Sequence, residues 1–373
     1  MVKKWSDVLT IVSGKNQKTV VSSGGKYPIY GSGGIMGYAS NYLCEAGTTI
    51  VGRKGTINKP IFVNEPFWNV DTAFGISPGN ELHPKYLYYF CCSFNFKELD
   101  KSTTIPSLAK RDLLQIEMPV PSLSEQERIV SKIEELFSKL DASVAELKTA
   151  KEKLKVYRQA VLKEAFDSVR SDCMTTTIKS VCETIKVGIV IKPTQYYVKT
   201  DGVFAFRNAN VRRNYIEDND WAMISQEGHQ KNLKSQVHTD DVLIARSGVN
   251  LGMAAAVPEK YDGYNAIDIV IAVPKKNFVL PKYLAQYTNS PYGVEIVKKN
   301  QHGAAQGHLN VKEYGNLPIF LPNISVQNEL LQKIESRLSV CDSIEQTIDT
   351  SLQQAEALRQ SILKQAFEGR LIE

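Results

Sequence analysis

Hydrophobic residues recur at steps of three, four or seven along two long stretches of this chain. The first stretch includes Ile129, Ile133, Leu136 and Leu140, and the second includes Ile334, Leu338, Cys341 and Ile348. Neither stretch contains Gly or Pro after its opening turn. Because a period near 3.6 residues places such side chains on one face, both stretches are predicted to be amphipathic helices, each up to about 65–70 Å long.

The two predicted helices are copies of one another. Residues 121–166 align without a gap on residues 322–367, at a constant offset of 201 positions. Identical pairs include Pro121/Pro322, Gln126/Gln327, Asp141/Asp342, Arg158/Arg359 and Phe166/Phe367. A repeat this long indicates a duplicated module rather than a solenoid, whose period would be far shorter. It divides the chain into a first region (residues 1–120), a central helical spacer (121–168), a second region (169–321) and a C-terminal helical spacer (322–373).

Local signals predict where the helices begin and end. Ser124-x-x-Glu127 has the pattern of a capping box, in which a hydroxyl and a carboxylate each bind a free backbone N–H. The second helix keeps Ser325 but has Asn328 at the Glu position, so its box is weaker. Gly369 is predicted to end the second helix.

A long, narrow apolar stripe needs a partner stripe to leave water. Two related stripes in one chain predict an intramolecular antiparallel pair, a coiled coil with approximate twofold symmetry. Two alternatives remain at this point. Each helix could pack on its own globular region, or the helices could pair between two chains.

The first and second regions are rich in β-branched residues, Tyr, Gly and turn signals. Residues 48–55 and 241–248 each predict a short buried strand that runs into a turn carrying Arg and Gly. Lys-Tyr-Leu triplets at 85–87 and 282–284 each predict the start of a short helix. We therefore expect an α+β protein in which two mixed, strand-rich regions are joined by two long antiparallel helices.

Composition excludes several classes of protein. Of the 373 residues, 43% are hydrophobic and 23% charged, the balance of an ordinary globular protein. No apolar run approaches the roughly 20 residues needed to cross a bilayer, so we expect no membrane partner and a cytoplasmic location. The six cysteines are scattered, without a C-x-x-C pair or His partners at zinc spacing, which predicts reduced thiols and no metal site.

Positive charge is concentrated in the two globular regions. The formal net charge of the whole chain is +5. The first region has 13 basic and 9 acidic residues, and the second has 18 and 14. The C-terminal spacer has 5 basic against 8 acidic residues. Two basic regions of equal net charge are compatible with two contacts to one polyanion.

No signature of catalysis is present in the sequence. It contains no G-x-x-x-x-G-K-[ST] phosphate loop, no H-E-x-x-H zinc motif, no G-x-S-x-G nucleophile elbow and no N-P-P-[YF] motif of amino-methyltransferases. The five histidines show no spacing that suits a ligand cluster. The sequence therefore gives no positive evidence for an enzyme.

The order of region, helix, region and helix, with each helix preceded by P-x-x-S-x-Q, resembles the DNA-specificity subunit of type I restriction-modification systems. The junction at residues 119–129 resembles that family's junction between recognition domain and helix. The stretches 28–38, 53–55 and 67–68 resemble one type of its target-recognition domain, and residues 102–106 resemble the small-polar turn that precedes the last strand. Residues 206–210 and 241–252 resemble another type. The second junction departs from the pattern because Val326 replaces Glu125, and residues 303–307 replace the small-polar turn at 102–106.

The resemblance implies a non-catalytic subunit that binds double-stranded DNA. Each region would recognise one half of an asymmetric, bipartite target, and the helices would set the distance between the halves. Two modification (methyltransferase) subunits carrying S-adenosylmethionine would dock on the chain, and restriction subunits that use ATP could join them. The chain itself would need no cofactor. Two alternatives stay open, a stand-alone DNA methyltransferase with fused recognition domains and a coiled-coil scaffold that binds no nucleic acid.

Candidate DNA-binding residues follow from the hydrogen-bonding demands of bases and phosphates. Arg suits guanine, Asn and Gln suit adenine, and Lys, Arg and hydroxyls suit phosphate. Each could instead be a solvated charge or a turn-stabilising group. The candidates are Arg53, Lys54, Lys59, Ser102, Thr103 and Thr104 in the first region, and Arg207, Asn208, Arg212, Arg246, Ser247, Gln301, His302, Gln306 and His308 in the second.

Polar residues that recur in both helices are candidates for docking two copies of one partner. Shared ancestry without selection is the alternative explanation. The candidates are Asp141, Arg158, Gln159 and Lys163 in the first helix and Asp342, Arg359, Gln360 and Lys364 in the second.

Overall fold

Two helices of 48 and 44 residues dominate the secondary structure. The structure is a computed structural model that describes residues 1–299 and 308–372. In the described residues the helices are α1 Trp5–Val8, α2 Pro84–Ser93, α3 Lys110–Leu113, α4 Leu123–Arg170, α5 Ile178–Val181, α6 Gln226–Lys231, α7 Pro281–Asn289, α8 Pro291–Lys299, α9 Val311–Gly315 and α10 Ile324–Phe367. The predicted long helices and the short helices at the two Lys-Tyr-Leu triplets are thus confirmed.

The strands fall into two sets of the same design. The first set is β1 Val2–Lys4, β2 Leu9–Ser13, β3 Tyr27–Gly31, β4 Gly34–Ala39, β5 Thr48–Gly52, β6 Ile61–Val63, β7 Trp68–Asn69, β8 Ala73–Pro78 and β9 Glu117–Pro119. The second set is β10 Met174–Thr177, β11 Cys182–Val187, β12 Val203–Phe206, β13 Ala222–Ile224, β14 Val242–Ala245, β15 Ala254–Ala256, β16 Asn265–Ala266, β17 Ile269–Pro274 and β18 Pro318–Leu321.

Both regions have the same sheet topology although their sequences differ. A four-stranded antiparallel sheet has the order β2-β8-β5-β6 in the first region and β11-β17-β14-β15 in the second. A three-stranded sheet has the order β4-β3-β7 or β13-β12-β16, with a parallel pair between its last two strands in each case. A two-stranded antiparallel pair, β1-β9 or β10-β18, completes each set. The regions therefore share one fold that is mixed and strand-rich.

The chain divides into two compact units, each containing one region and pieces of both long helices. The first unit is Met1–Thr149 with Ile348–Glu373, and the second is Ala150–Thr347. In the first unit, Ile133 near the start of α4 and Leu363 near the end of α10 share a core with Trp5. In the second unit, Phe166 near the end of α4 and Ile334 near the start of α10 share another core.

The two long helices pack together in antiparallel orientation, which confirms the intramolecular pair. In the second unit, Arg158 contacts Asp342 at 2.7 Å, while Glu164 further along α4 contacts Arg337 earlier in α10 at 2.8 Å. In the first unit, Asp141 of α4 forms an ion pair with Arg359 of α10. Each helix also packs on its own globular region. The alternative in which the helices pack on the globular regions is therefore partly true as well.

A buried glutamine fixes the start of each long helix. Gln126 is fully buried, accepts from the His83 backbone N–H at 2.8 Å and donates to the carbonyls of Glu81 and Pro121. Gln327, at the equivalent position, accepts from the Leu280 N–H at 2.9 Å and donates to two carbonyls in the same way. Because all three bonds are made without solvent, this residue ties α4 to the start of α2, and α10 to the start of α7.

The tyrosine of each Lys-Tyr-Leu triplet packs on the end of one long helix, α10 in the first unit and α4 in the second. The Tyr86 ring lies 5.1 Å from that of Phe367, and the Tyr283 ring lies 5.4 Å from that of Phe166. The Tyr86 hydroxyl donates to the Pro119 carbonyl at 3.0 Å, and the Tyr283 hydroxyl does the same to Phe320 at 2.8 Å. Each unit therefore repeats the same set of contacts.

The predicted capping box is wrong by two residues. Helix α4 begins at Leu123, and the Ser122 hydroxyl accepts from the Glu125 N–H at 3.3 Å, so Ser122 is the cap and Ser124 lies in the first turn. In α10 the cap is Asn323, whose side-chain oxygen accepts from the Val326 N–H at 3.0 Å. Ser122-x-x-Glu125 has the same S-x-x-E pattern as Ser124-x-x-Glu127, and the earlier serine is the one that caps the helix. Gly369, with φ of +74°, follows the end of α10 as predicted.

Candidate nucleic-acid interface

In both regions a fully buried strand ends in a turn that contains Arg and Gly. Strand β5 leads into Arg53-Lys54-Gly55, which we call the first turn, and β14 leads into Arg246-Ser247-Gly248, the second turn. Gly55 and Gly248 have φ of +78° and +72°, a left-handed conformation that a side chain would strain. Each turn follows the equivalent strand of an equivalent sheet.

Backbone hydrogen bonds join each turn to a segment far away in sequence. The Leu108 N–H donates to the Arg53 carbonyl at 2.9 Å, and the Leu309 N–H donates to the Arg246 carbonyl at 3.0 Å. In the first region the Gly55 N–H also donates to Pro106 at 2.9 Å. These bonds bring the predicted residues Arg53 and Lys54 beside the loop that carries the predicted hydroxyl residues.

The loop of residues 102–106 is exposed and is held by one carboxylate. Asp100 accepts from the backbone N–H groups of Ser102 and Ser107, both at 3.0 Å, and from the Ser102 hydroxyl at 2.6 Å. The Ser102 hydroxyl, together with these N–H groups, holds the pKa of Asp100 below its ordinary value. Thr103 and Thr104 are exposed at the surface of this fixed loop, where their hydroxyls can reach a ligand.

Arg53 is oriented by its surroundings and has no carboxylate partner among the described residues. Its Nη1 donates to the Asp71 carbonyl at 3.3 Å, and its guanidinium lies 5.9 Å from the centre of the Phe74 ring. Lys54 is exposed on the same turn. Lys59 is also exposed, but no contact in the described part of the chain joins it to this surface.

Three further cations at this surface were not predicted from the sequence. Lys101, Lys110 and Arg111 line a cavity of about 660 Å³ together with Arg53 and Ser102. Asp112 accepts from Lys101 at 3.0 Å and lies 3.6 Å from Arg111. Lys110 donates to the Ile11 carbonyl at 2.7 Å. The excess of cations beside exposed hydroxyls is the composition expected of a phosphate-binding surface. The density of Lys and Arg on both sides of the Ser-Thr-Thr sequence could have revealed it.

In the second region Asn208 holds the second turn in place. Its side-chain oxygen accepts from the backbone N–H of Arg246 at 2.6 Å and of Ser247 at 3.3 Å, and its amide donates to the Ser247 hydroxyl at 3.1 Å. The same amide donates to the Asp268 carbonyl. Asn208 was predicted to contact DNA directly. These bonds occupy its side chain, so it positions the neighbouring Arg246 and Ser247.

Each predicted arginine of the second region has an acidic neighbour. Arg246 Nη1 donates to Asp268 at 2.6 Å, and its Nε donates to the Leu309 carbonyl at 2.9 Å. Arg207 contacts Asp220 at 2.7 Å, and Arg212 lies 3.7 Å from Glu217. An ion pair of this kind orients a guanidinium, and the N–H groups it does not use remain available to a ligand.

Of the remaining predicted residues in the second region, one lies within the described residues and three lie outside them. His308 is exposed and precedes Leu309, which bonds to Arg246. Gln301, His302 and Gln306 lie outside the described residues.

Most of the helix residues predicted to dock partners form ion pairs inside the protein. The partner lies either on the other long helix or a few residues further along the same stretch. Arg158 and Asp342 pair with each other, as do Arg359 and Asp141. Lys163 contacts Asp167 at 3.1 Å, and Lys364 lies 3.9 Å from Glu368. Gln159 is half-buried and Gln360 is exposed. The ion pairs give the repeated Asp and Arg a role in holding the helices together, and docking remains a separate prediction.

The residues that the structure describes contain neither a candidate metal cluster nor a candidate membrane span. No group of three or more His, Cys, Asp or Glu there could hold a metal ion. No helix in the described ranges is both long and apolar enough to span a membrane.

Comparison with known proteins finds relatives that match most of the chain. Residues 1–153 match the family described as type I restriction modification DNA specificity domain. Over 347 residues the chain is 26% identical to the EcoBI specificity subunit of Escherichia coli, covering 86% of this chain and 73% of the relative. It is 23% identical over 346 residues to the StySPI specificity subunit of Salmonella potsdam, with the same coverage.

Solved structures share the fold. A chain from a study of complex assembly and conformational transition of the type I R-M system superposes with a TM-score of 0.75 at 16% identity, covering 99% of this chain and 98% of that one. The HsdS subunit from Thermoanaerobacter tengcongensis gives a TM-score of 0.54 at 16% identity, covering 99% and 97%.

The repeated helices and the twice-built strand-rich region agree with the fold of these solved structures. Residues 1–153 match the DNA specificity domain family, and over most of its length the chain is similar to type I restriction-modification specificity subunits.

Proposed function

We propose that this chain recognises an asymmetric, bipartite DNA target for a type I restriction-modification complex. Each region binds one half of the target, the first through the first turn and its exposed loop, the second through the second turn. The observation that carries the proposal is that one surface is built twice on one fold with different side chains. Arg53-Lys54-Gly55 and Arg246-Ser247-Gly248 occupy equivalent places, but their neighbours differ. Two different surfaces on the same fold are suited to recognising two different DNA half-sites.

Binding combines two kinds of contact. Lys54, Lys101 and the exposed hydroxyls are suited to phosphates, which fix the register of the protein on DNA. Arg53 and Arg246 are suited to guanine, whose O6 and N7 accept two parallel N–H groups in the major groove. Preorientation by Phe74 in one case and Asp268 in the other lowers the entropy lost on binding.

The helices set which spacing of half-sites is accepted. A pair of packed helices resists bending, so two regions fixed to it meet two half-sites only at set separations, near one helical turn of DNA or a multiple. The fully buried Gln126 and Gln327 support this role, because each couples the start of a helix rigidly to its own region.

The chemistry of the complex belongs to its partners in this proposal. Two modification subunits would bind S-adenosylmethionine and transfer the methyl group, and restriction subunits that consume ATP could join them. The chain would supply DNA recognition and docking surfaces, and the repeated exposed residues Gln360 and Lys364 are candidates for one such surface. We place this activity in the cytoplasm.

Single-molecule methylation mapping in the source organism, with and without the gene, tests the proposal. Deletion should abolish methylation at one bipartite word and at no other. Complementation with Arg53→Ala should alter recognition of one half only, and Arg246→Ala should alter the other half only. Unchanged methylation after deletion, or equal loss at both halves from either variant, would refute the proposal.

A further inference from the structure

The second turn presents one apolar side chain almost entirely to solvent. Val249 is 96% exposed and directly follows Gly248. The chain before it, strand β14, is completely buried, and Asn250 after it is 7% exposed. An aliphatic residue at the apex of an ordered turn gains nothing from folding, so its chemistry is available to a ligand.

The turn that carries Val249 is held on both sides. Before it, Arg246 and Ser247 are bonded to Asn208. After it, the Asn250 amide donates to the Asn208 carbonyl at 2.9 Å, and the Gly252 N–H donates to the Ala245 carbonyl at 2.8 Å. These bonds fix the backbone around Val249, so the side chain is preorganised for contact.

The first region does not repeat this feature. After Gly55 the chain returns to the core within two residues, because Ile57 is only 3% exposed. In the second region a short 3₁₀ turn, Gly248–Asn250, separates the arginine from the core instead. Val249 is therefore one of the differences between two surfaces that are built on the same fold, and differences of this kind distinguish two target sequences.

We propose that Val249 is a specificity-determining residue that contacts the C5-methyl group of a thymine in the half-site bound by the second region. The inference rests on the proposed function and extends it. Thymine is the base that offers an apolar group in the major groove, and aliphatic side chains discriminate it through that methyl. The neighbouring Arg246 would contact an adjacent base, and Ser247 a base edge or phosphate.

The experiment removes the methyl groups from each partner in turn, one from the thymine and two from Val249. The chain is purified in complex with its modification subunits, and binding is measured to duplexes with the mapped target. Each thymine of the second half-site is replaced singly by uracil, which lacks only the methyl. One such replacement should weaken binding by the wild-type complex about three- to fivefold, the loss expected for one buried methyl group.

Val249→Ala should weaken binding to the thymine duplex by a similar factor and should be insensitive to uracil at that one position. Phe278→Ala, which removes another side chain that is 57% exposed on the same unit, should retain full sensitivity to uracil. Equal melting temperatures of the wild-type and Val249→Ala complexes exclude a folding defect.

Three outcomes would overturn the inference. One is a second half-site without thymine on either strand, and another is equal uracil sensitivity of Val249→Ala and wild type at every position. In both cases the wild-type complex still binds its bipartite target, so the proposed function stands while the role of Val249 fails. A wild-type complex that prefers no duplex sequence would overturn both.

Discussion

Arg158 of helix α4 donates to the Asp342 carboxylate of helix α10 at 2.7 Å, and both residues recur 201 positions away as an equivalent pair. Asp141 is equivalent to Asp342 in the repeat, and Arg359 is equivalent to Arg158. Both partners are therefore duplicated, so the ion pair is present once in each unit.

A double-mutant cycle on Arg158 and Asp342 should give a small coupling energy. Arg158 is 25% exposed and Asp342 70%, so solvent screens most of their attraction. We expect a coupling of about 0.5–1 kcal/mol at low salt, falling towards zero in roughly 1 M NaCl. Urea unfolding of the single and double Ala variants measures it. The Asp141 and Arg359 cycle is the matched control, and a coupling unaffected by salt would contradict this explanation.

Replacing a buried glutamine should weaken one region and not the other. Gln126→Ala leaves the His83 N–H and two carbonyls without partners, which costs about 2–4 kcal/mol. Hydrogen exchange should show lost protection at the start of α2, while α7 keeps its protection. Gln327→Ala should give the converse result.

The exposed Gln360 provides the control for these variants, and Gln360→Ala should change stability by less than about 0.5 kcal/mol. Equal loss of protection in both regions from Gln126→Ala would show that the glutamine is not a local tie.

The two long helices were the part of the fold that could be predicted best, because apolar periodicity and a gapless repeat are both visible in one sequence. The common sheet topology of the two regions could not be predicted. It depends on pairings such as β5 with β8 and β14 with β17, and the regions share too few residues to align. The cap at Ser122 was missed because Ser122-x-x-Glu125 and Ser124-x-x-Glu127 both have the capping-box pattern, which does not decide between them.

The candidate site was predicted in part. Arg53 and the loop of residues 102–106 were identified separately, but their proximity rests on two backbone hydrogen bonds that no spacing rule reveals. Asn208 has the residue type of a base contact, yet its side chain is occupied in holding the second turn. Val249 has no chemical signature in the sequence, and only its exposure distinguishes it.

Asp241→Asn should remove a pH dependence from the stability of the second region. Burial raises the pKa of Asp241 above its ordinary value, although the His238 N–H at 2.8 Å opposes this rise. The folded state then binds the proton more tightly than the unfolded state. Ionised Asp241 lowers stability at neutral pH, and this cost is relieved as the pH falls through the folded pKa towards the ordinary value.

The Asn variant keeps an acceptor for the His238 N–H. It should be at least as stable as wild type at pH 7, with the advantage vanishing near pH 4. Thermal unfolding from pH 4 to pH 8 measures the difference, and a constant difference across that range would contradict the prediction.

The six thiols should differ strongly in reactivity. Burial raises the pKa of Cys44 and of Cys182 to about 12, and that of Cys92 to about 11. Burial also raises the pKa of Cys173, but this thiol is only half-buried. Since the thiolate is the reactive form, iodoacetamide at pH 8 should label Cys173 first and leave Cys44 and Cys182 unmodified until unfolding. Mass spectrometry of the labelled peptides measures the order.

Cys173→Ser should abolish the fast phase of labelling. Rapid modification of Cys182 in the native protein would contradict the burial of that thiol.

Lys54→Ala should weaken DNA binding by a similar factor for every sequence tested. A lysine that contacts a phosphate releases about one counterion on binding, so the slope of log K against log salt should become shallower by about one. Titrations of the complex between 50 and 200 mM salt, with specific and unrelated duplexes, measure this slope. Altered sequence preference with an unchanged slope would assign Lys54 to a base instead.

The end of α10 has a consequence for how the protein is made. Ile362, Leu363 and Ala366 belong to the core that surrounds Trp5, so the first unit joins residues that are separated in sequence by the whole second unit. The second unit is a continuous stretch, Ala150–Thr347. On the ribosome the first 149 residues must therefore wait for residues after 347 to complete their unit, while residues 150–347 can fold as they emerge. A partly translated chain leaves an apolar surface around Trp5 and Tyr86 uncovered, which is where a chaperone would be expected to bind.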